Sequence, residues 1–232
     1  LELGIYQSVQ VLKADAHRKV RVRPLKQLDF AREVTDCLLT IDEFPAAARS
    51  MPIVFGRSEE DRKFFPAAVL GLGRKRNWFL DEEGQWKPGE YMPAFLRRYP
   101  FVFVKGDETN YLAIDESCSA VNEEEGEPLF DESGQASNYA RLVLGFLQEY
   151  EAAHQRTQEF CREMSRLGLF EDIVIQKWIG FQSPLLRGIK RVSERRFDQL
   201  TTSERDSLVS KGYYKLIVAH LISLGHIERL AR

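Results

Sequence analysis

Four histidines, His17, His154, His220 and His226, and three cysteines, Cys37, Cys118 and Cys161, are the residues through which this chain could run metal or nucleophilic chemistry. A zinc site needs several ligands that spacing can bring together, and no two of these histidines stand four apart or form H-E-x-x-H. His154 and Cys161 are seven residues apart on one side of a helical segment, a pair too small to hold zinc and more at home in a core. An odd number of widely spaced cysteines makes neither a disulfide framework nor a C-x-x-C motif, so a reducing, cytoplasmic location is expected. There is no G-x-S-x-G elbow, and Gly71-Leu72-Gly73 lacks the third glycine of a dinucleotide loop and reads as a turn. Eight carboxylates lie between Asp115 and Glu132, without the alternation that wraps calcium. No metal or cofactor is expected.

The segment with the clearest binding character combines aromatic residues with arginine: Tyr91, Phe95, Arg97, Arg98, Tyr99 and Phe101, near Trp86. Such residues join large buried area to directed hydrogen bonds and dominate binding hot spots. Trp86, Tyr91, Arg97, Arg98 and Tyr99 are therefore the candidate contact residues for a protein or peptide partner. The same pattern also suits a helix that docks its aromatic side on a sheet. A second functional class is an enzyme whose site is assembled from distant segments, with His154, His220, Glu149 and Cys161 as its residues.

Charge excludes other partners. Lys+Arg 33 against Asp+Glu 35 gives a formal charge of −2, without the basic excess that binding a phosphate backbone requires. Positive charge gathers locally at Arg18, Lys19, Arg21, Arg23 and Lys26, and again from Arg187 to Arg196, as solvated faces do. The longest apolar stretch, Tyr213 to Leu224, is interrupted by polar residues and too short to cross a bilayer, so membrane insertion is not expected. The first residues show no charged-then-apolar leader pattern. Apolar residues make up 44% of the 232, enough for a folded core.

These residues need a scaffold, and hydrophobic periodicity outlines a single α+β domain over 1–232. Its strand-rich N-terminal half, with a mainly antiparallel sheet, packs against a long amphipathic helix and a C-terminal helix. Ile5 to Leu12 and Lys19 to Arg23 alternate as strands and are expected to pair through a turn at Asp15. Asp42 to Arg49 reads as a short helical turn and Pro52 to Phe55 as a buried strand. Ala67 to Gly71, Trp78 to Leu80 and the region of Trp86 suggest hairpins. Pro88 to Tyr99 has helical spacing, Phe101 to Val104 pairs with Tyr111 to Ile114, and 115–132 reads as a solvated loop.

In the second half, Ser137 is placed to cap a helix running to Leu167 and stopped by Gly168. Ile173 to Ile179 and Leu186 to Val192 are expected strands. Thr201-x-x-Glu204 is a capping box opening a helix that closes at Gly212, and Tyr213 to Arg232 is the terminal helix.

Seven segments, in this order, carry a likeness to a known family. They are Glu43-Phe44-Pro45-Ala46-Ala47, Pro52-Ile53-Val54-Phe55, Ala68-Val69-Leu70-Gly71-Leu72, Tyr99-Pro100-Phe101, Glu125-Gly126-Glu127-Pro128-Leu129-Phe130, Phe146-Leu147-Gln148-Glu149-Tyr150 and Ala219-His220-Leu221-Ile222-Ser223-Leu224. Over nearly its whole length the chain resembles the bacterial SapC family. The resemblance implies an association with surface-layer proteins, and it brings no agreed catalytic residues. Neighbouring outer-membrane receptor and halogenase-like genes, found beside members of such families, imply an accessory role in uptake or peptide modification.

Overall fold

The computed structural model describes residues 4–72, 76–107, 109–173 and 188–230. The first elements are β1 (Val9–Val11), α1 (Ala14–His17), β2 (Arg21–Val22) and β3 (Asp36–Leu38). A 3-10 turn (Ile41–Glu43) leads into α2 (Phe44–Ala47), then β4 (Ile53–Arg57) and β5 (Phe64–Val69). α3 (Ala94–Arg97) precedes β6 (Phe101–Lys105), β7 (Asn110–Asp115), β8 (Val121–Asn122) and β9 (Glu127–Pro128). α4 (Asn138–Arg166) is followed by β10 (Phe170–Asp172) and β11 (Lys190–Val192). The chain closes with α5 (Glu194–Asp198), α6 (Thr202–Ser210), α7 (Tyr213–Ser223) and α8 (Ile227–Leu230).

The strands form three antiparallel sheets, ordered β10-β11-β4-β5-β3, β1-β7-β6 and β8-β2-β9. This is the α+β class expected, with the long helix laid on the strands. Ser137 caps α4, its Oγ accepting from the Ala140 N–H at 3.0 Å, and Gly168 takes the left-handed conformation, φ 63°, just past its end. The buried stripe of α4 includes Leu147, Tyr150, Ala153, Phe160, Cys161 and Met164. Phe160 meets Phe44 edge-on at 6.0 Å, and Phe55 lies 6.3 Å away, so the helix, α2 and β4 share one aromatic core. Polar ends are satisfied within it: Thr157 Oγ1 accepts from the Ile41 N–H at 2.9 Å.

Several local expectations are corrected. β1 does not pair with β2; it pairs with β7, and β2 lies between β8 and β9. The Asp15 region is a turn of helix rather than a hairpin turn, and Asp115 draws the chain before β1 toward β7, accepting from the N–H groups of Gln7 and Ser8 at 2.9 Å each. The acidic stretch is thus not only a loop. β5 pairs with β4 and β3, while Trp78 reaches the expected 67–71 strand only through its N–H to the Leu70 carbonyl at 2.8 Å, and the expected turn before Trp86 is closed by the Leu80 to Trp86 bridge. Helix in 88–99 is limited to α3, because Pro93 supplies its N-cap and cannot continue a helix upstream. Gly73 and the adjoining connection at 74 and 75, most of the strand expected at 173–179, and 186–187 lie outside the described residues. The terminal helix is broken into α7, a 3-10 turn and α8.

α7 is joined to the large sheet by an unusual use of histidine. Lys190 faces Phe55 across β11 and β4, and two residues further on the same register would set Val192 opposite Ile53. His220 stands between them instead. Its Nε2 accepts from the Val192 N–H at 3.0 Å, and its Nδ1 lies 2.9 Å from the Ile53 carbonyl. An acceptor on one side and a donor on the other fix the neutral Nδ1–H tautomer. Ser223 completes the clasp, accepting from the Ile53 N–H at 2.9 Å while donating to the His220 carbonyl at 2.6 Å. Burial holds the imidazole pKa down to about 3, overriding the favourable hydrogen bond to Ile53.

Because the unfolded imidazole takes a proton near its ordinary 6.5 and the folded one does not, the His220 contribution is complete above that value and declines as pH falls toward 3. His220→Ala leaves a void and two unsatisfied main-chain groups, and is expected to cost about 3–5 kcal/mol at neutral pH. Urea unfolding should show the gap between wild type and variant narrowing by about 1.4 kcal/mol between pH 7.5 and 5.5. A constant gap would mean that His220 takes up its proton in the fold at the same pH as in the unfolded chain.

Candidate functional site

α3 and the residues around it place the predicted contact residues in different surroundings. The organiser is Glu43, 6% exposed, whose two carboxylate oxygens accept four hydrogen bonds. Oε2 accepts from the Thr40 N–H at 2.8 Å and its hydroxyl at 2.9 Å; Oε1 accepts from the Tyr91 hydroxyl at 2.9 Å and the Ala94 N–H at 2.7 Å. Tyr91 is thus tied inward by its hydroxyl, and burial together with the Glu43 charge pushes its pKa up to about 12. Arg97 lies exposed above it, with its guanidinium carbon 5.8 Å from the Tyr91 ring and 5.4 Å from that of Phe146.

The remaining three residues do not share that face. Trp86 is half-buried, stacked 5.4 Å from Phe79, and its indole N–H donates to the Glu90 carbonyl at 3.2 Å. Tyr99 is buried, stacked 4.0 Å from Phe30, with its hydroxyl donating to Asp115 at 3.3 Å. Burial on its own would raise the Asp115 pKa, but the bonds from Ser117, Gln7 and Ser8 carry it below the usual carboxylate range.

Arg98 is 7% exposed, yet it forms no ion pair among the described residues. Its guanidinium carbon is collared by three rings, Phe95 at 4.6 Å, Tyr150 at 5.0 Å and Tyr6 at 5.8 Å, and its Nε has no hydrogen-bond partner. Buried charges are normally neutralised by an opposite charge. This one instead lines a concavity of about 310 Å³ together with Phe103, Lys105, Tyr150, Glu151 and His154.

Among the described residues, that concavity is one of three along one face of α4. His154 also borders the second, about 710 Å³, under the hairpin of β4 and β5, and Gln158 continues from there into the third, about 200 Å³. Leu147, Glu151, His154, Gln158, Cys161 and Ser165 recur at the three- and four-residue spacing that aligns side chains on a helix. The three concavities therefore spread along α4 over roughly 27 Å at 1.5 Å per residue. Sequence reading missed Lys105, Tyr150 and Glu151, because strand and helix spacing say which face a residue occupies but not which faces leave a gap.

The residues considered for an assembled active site are not brought together. His220 is fully buried with both ring nitrogens engaged by main chain. Glu149 is exposed and five residues from His154, so it points about 140° away around the helix. Burial pushes the Cys161 thiol up to about 12, and Cys37 and Cys118 are also raised by burial, so the reactive thiolate is disfavoured at all three. His154 borders two of the concavities and Cys161 the third, and the His154 Nε2 lies 2.9 Å from the Gln158 amide. Among the described residues no group of three or more His, Cys, Asp or Glu is arranged to hold a metal. No described helix is long and apolar enough to cross a membrane.

Residues 12–230 match the SapC family model, nearly the entire chain. The chain belongs to the SapC family. No curated protein and no solved structure matches it. Among the segments that carry the SapC likeness, Glu43, Ile53, His220 and Ser223 form the two hydrogen-bonded clasps, and Leu147 and Tyr150 line the groove.

The two charged residues flanking α3 should respond oppositely to replacement. Glu43→Gln turns one accepting oxygen into an amide donor facing two other donors, and should lower stability by about 2–3 kcal/mol in urea unfolding. Arg98→Met removes a buried charge lacking an ionic partner, and should change stability by less than about 1 kcal/mol or increase it. A loss above about 2 kcal/mol would show that Arg98 serves the fold.

Proposed function

We propose that this SapC-family protein is a non-enzymatic accessory protein that binds a protein or peptide partner, in a surface-layer, outer-membrane uptake or peptide-modification system. The observation that carries this reading is the buried Arg98, held by aromatic rings and without an ion pair among the described residues, at the wall of a concavity. A buried guanidinium whose Nε has no hydrogen-bond partner is a group that a bound molecule can complete, and stability is commonly given up at such sites. The aromatic collar also supplies rigid, large contact surfaces of the kind that anchor interfaces.

Capture from native bacterial lysate with the purified protein is the direct test. Wild type should retain one stoichiometric partner, Arg98→Met should lose it, and Arg97→Ala shows whether the exposed face over Tyr91 contributes. Equal capture by wild type and Arg98→Met would overturn the assignment of the groove.

A further inference from the structure

We propose that the groove takes the C-terminal end of an extended peptide, which adds as an antiparallel strand to β6 and places its terminal carboxylate against Arg98, an inference that rests on the binding reading above. Three independent observations meet here. β6 is the last strand of its sheet, ordered β1-β7-β6, and so presents one unpaired edge. On β7 the Leu112 carbonyl and the Glu116 N–H point toward β1 and the segment before it, bonding Leu12 and Ser8, while the Asp115 N–H points the other way, to the Pro100 carbonyl. Since Val102 faces Ala113 and Val104 faces Tyr111, the main chains of Val102 and Val104 bond to β7, and those of Phe101, Phe103 and Lys105 point outward.

At Phe101 the outward groups are already satisfied: its N–H donates to the Arg98 carbonyl at 2.7 Å, and its carbonyl accepts from the Tyr6 hydroxyl at 2.9 Å. Among the described residues no hydrogen bond reaches the outward main chain of Phe103. The open stretch therefore begins at Phe103 and continues through Lys105.

The concavity lies along this edge and not on a face of the sheet. Val102, Phe103, Val104 and Lys105 all line it, although successive strand residues point to opposite faces. The opposite wall is α4, through Tyr150, Glu151 and His154. An edge strand facing a helix across a narrow groove is the arrangement in which a peptide gains affinity from main-chain hydrogen bonds and selectivity from alternate side chains.

Charge sets the direction and the end group. Arg98 precedes β6, so it sits at the strand's N-terminal end, where an antiparallel partner brings its own C-terminus. Its Nε lacks a partner, the residue is more than nine-tenths buried, and a planar guanidinium pairs two-pronged with a carboxylate. Lys105 adds a second cation at the other end of the open stretch, and Glu151, the one carboxylate on this concavity, offers acceptance to a peptide N–H or basic side chain. A free carboxylate could also arrive on a small organic acid, and only a peptide would use the Phe103 edge.

The test uses a randomised fluorescein-labelled octapeptide library with free C-termini, its C-terminally amidated twin, and sodium propionate, against the intact protein. Expected are selection of peptides from the free-acid library, at least a tenfold loss of affinity when a selected sequence is amidated, and loss of binding in Arg98→Met. Phe103→Pro removes the outward N–H together with the Phe103 ring, so Phe103→Ala is its control, and the proline variant should bind the selected peptide at least tenfold more weakly than the alanine variant while the two unfold alike in urea. Should Phe103→Pro unfold the protein, methylating the main-chain nitrogens of the selected peptide one at a time replaces it, and an absence of alternating sensitivity would overturn strand addition. Equal binding of acid and amide forms would overturn the carboxylate assignment while leaving a peptide-binding groove intact. Failure of any peptide to bind, with propionate bound in an Arg98-dependent manner, would overturn the peptide and leave a small-acid binding protein.

Discussion

His220 fills a place where two strands would ordinarily bond to each other, and much of the large sheet's attachment to the C-terminal helices passes through its ring. β4 and β11 separate around the imidazole, and the main-chain donor of Val192 and acceptor of Ile53 are both satisfied by it. A side chain that bridges an opened ladder must present a donor and an acceptor on opposite sides, which neutral imidazole does and no aliphatic residue can. The surrounding Phe55, whose ring lies 5.0 Å from that of His220, keeps water out and so keeps the ring uncharged. Once α7 is fixed this way, Tyr213 is held against Phe160 of α4 at 5.1 Å, and the long helix is locked over the sheet.

The same logic recurs with carboxylates. Glu43 gathers Thr40, Tyr91 and Ala94, and Asp115 gathers Gln7, Ser8, Ser117 and Tyr99, each tying together segments far apart in sequence. Buried acceptors surrounded by donors are stable without a cation because several hydrogen bonds to the charged group replace its hydration. Arg98 breaks the pattern. It is buried like the two carboxylates, but rings surround its guanidinium, it forms no ion pair among the described residues, and a concavity opens beside it. Two charges completed within the chain and a third left incomplete at a cavity wall make the difference between a residue of the fold and a residue of the site.

Local chemistry was largely readable in the chain itself. Ser137 and Gly168 bound α4 because a hydroxyl at an N-cap and a glycine past the C-terminus satisfy groups that every helix leaves open, whatever surrounds it. The Thr201 and Glu204 capping box, the hairpin of β6 and β7, and the helical turn near Glu43 are local for the same reason. The aromatic and arginine composition of 91–99 also marked Arg98, together with Trp86, Tyr91, Arg97 and Tyr99, as binding candidates.

Strand partnership and the division of that segment came from the tertiary structure. β1 alternates equally well against β2 or β7, and the choice depends on a carboxylate about a hundred residues away, since Asp115 bonds the main chain of Gln7 and Ser8. Arg97 and Arg98 are adjacent and chemically identical, and only packing turns one to solvent and the other into a collar of rings from Tyr6, Phe95 and Tyr150. Likewise His220 is one histidine among four until Ile53 and Val192 close on its two nitrogens. Amino-acid type fixes what a side chain can donate, accept or bury, whereas its partners are set by long-range contacts that no local period encodes.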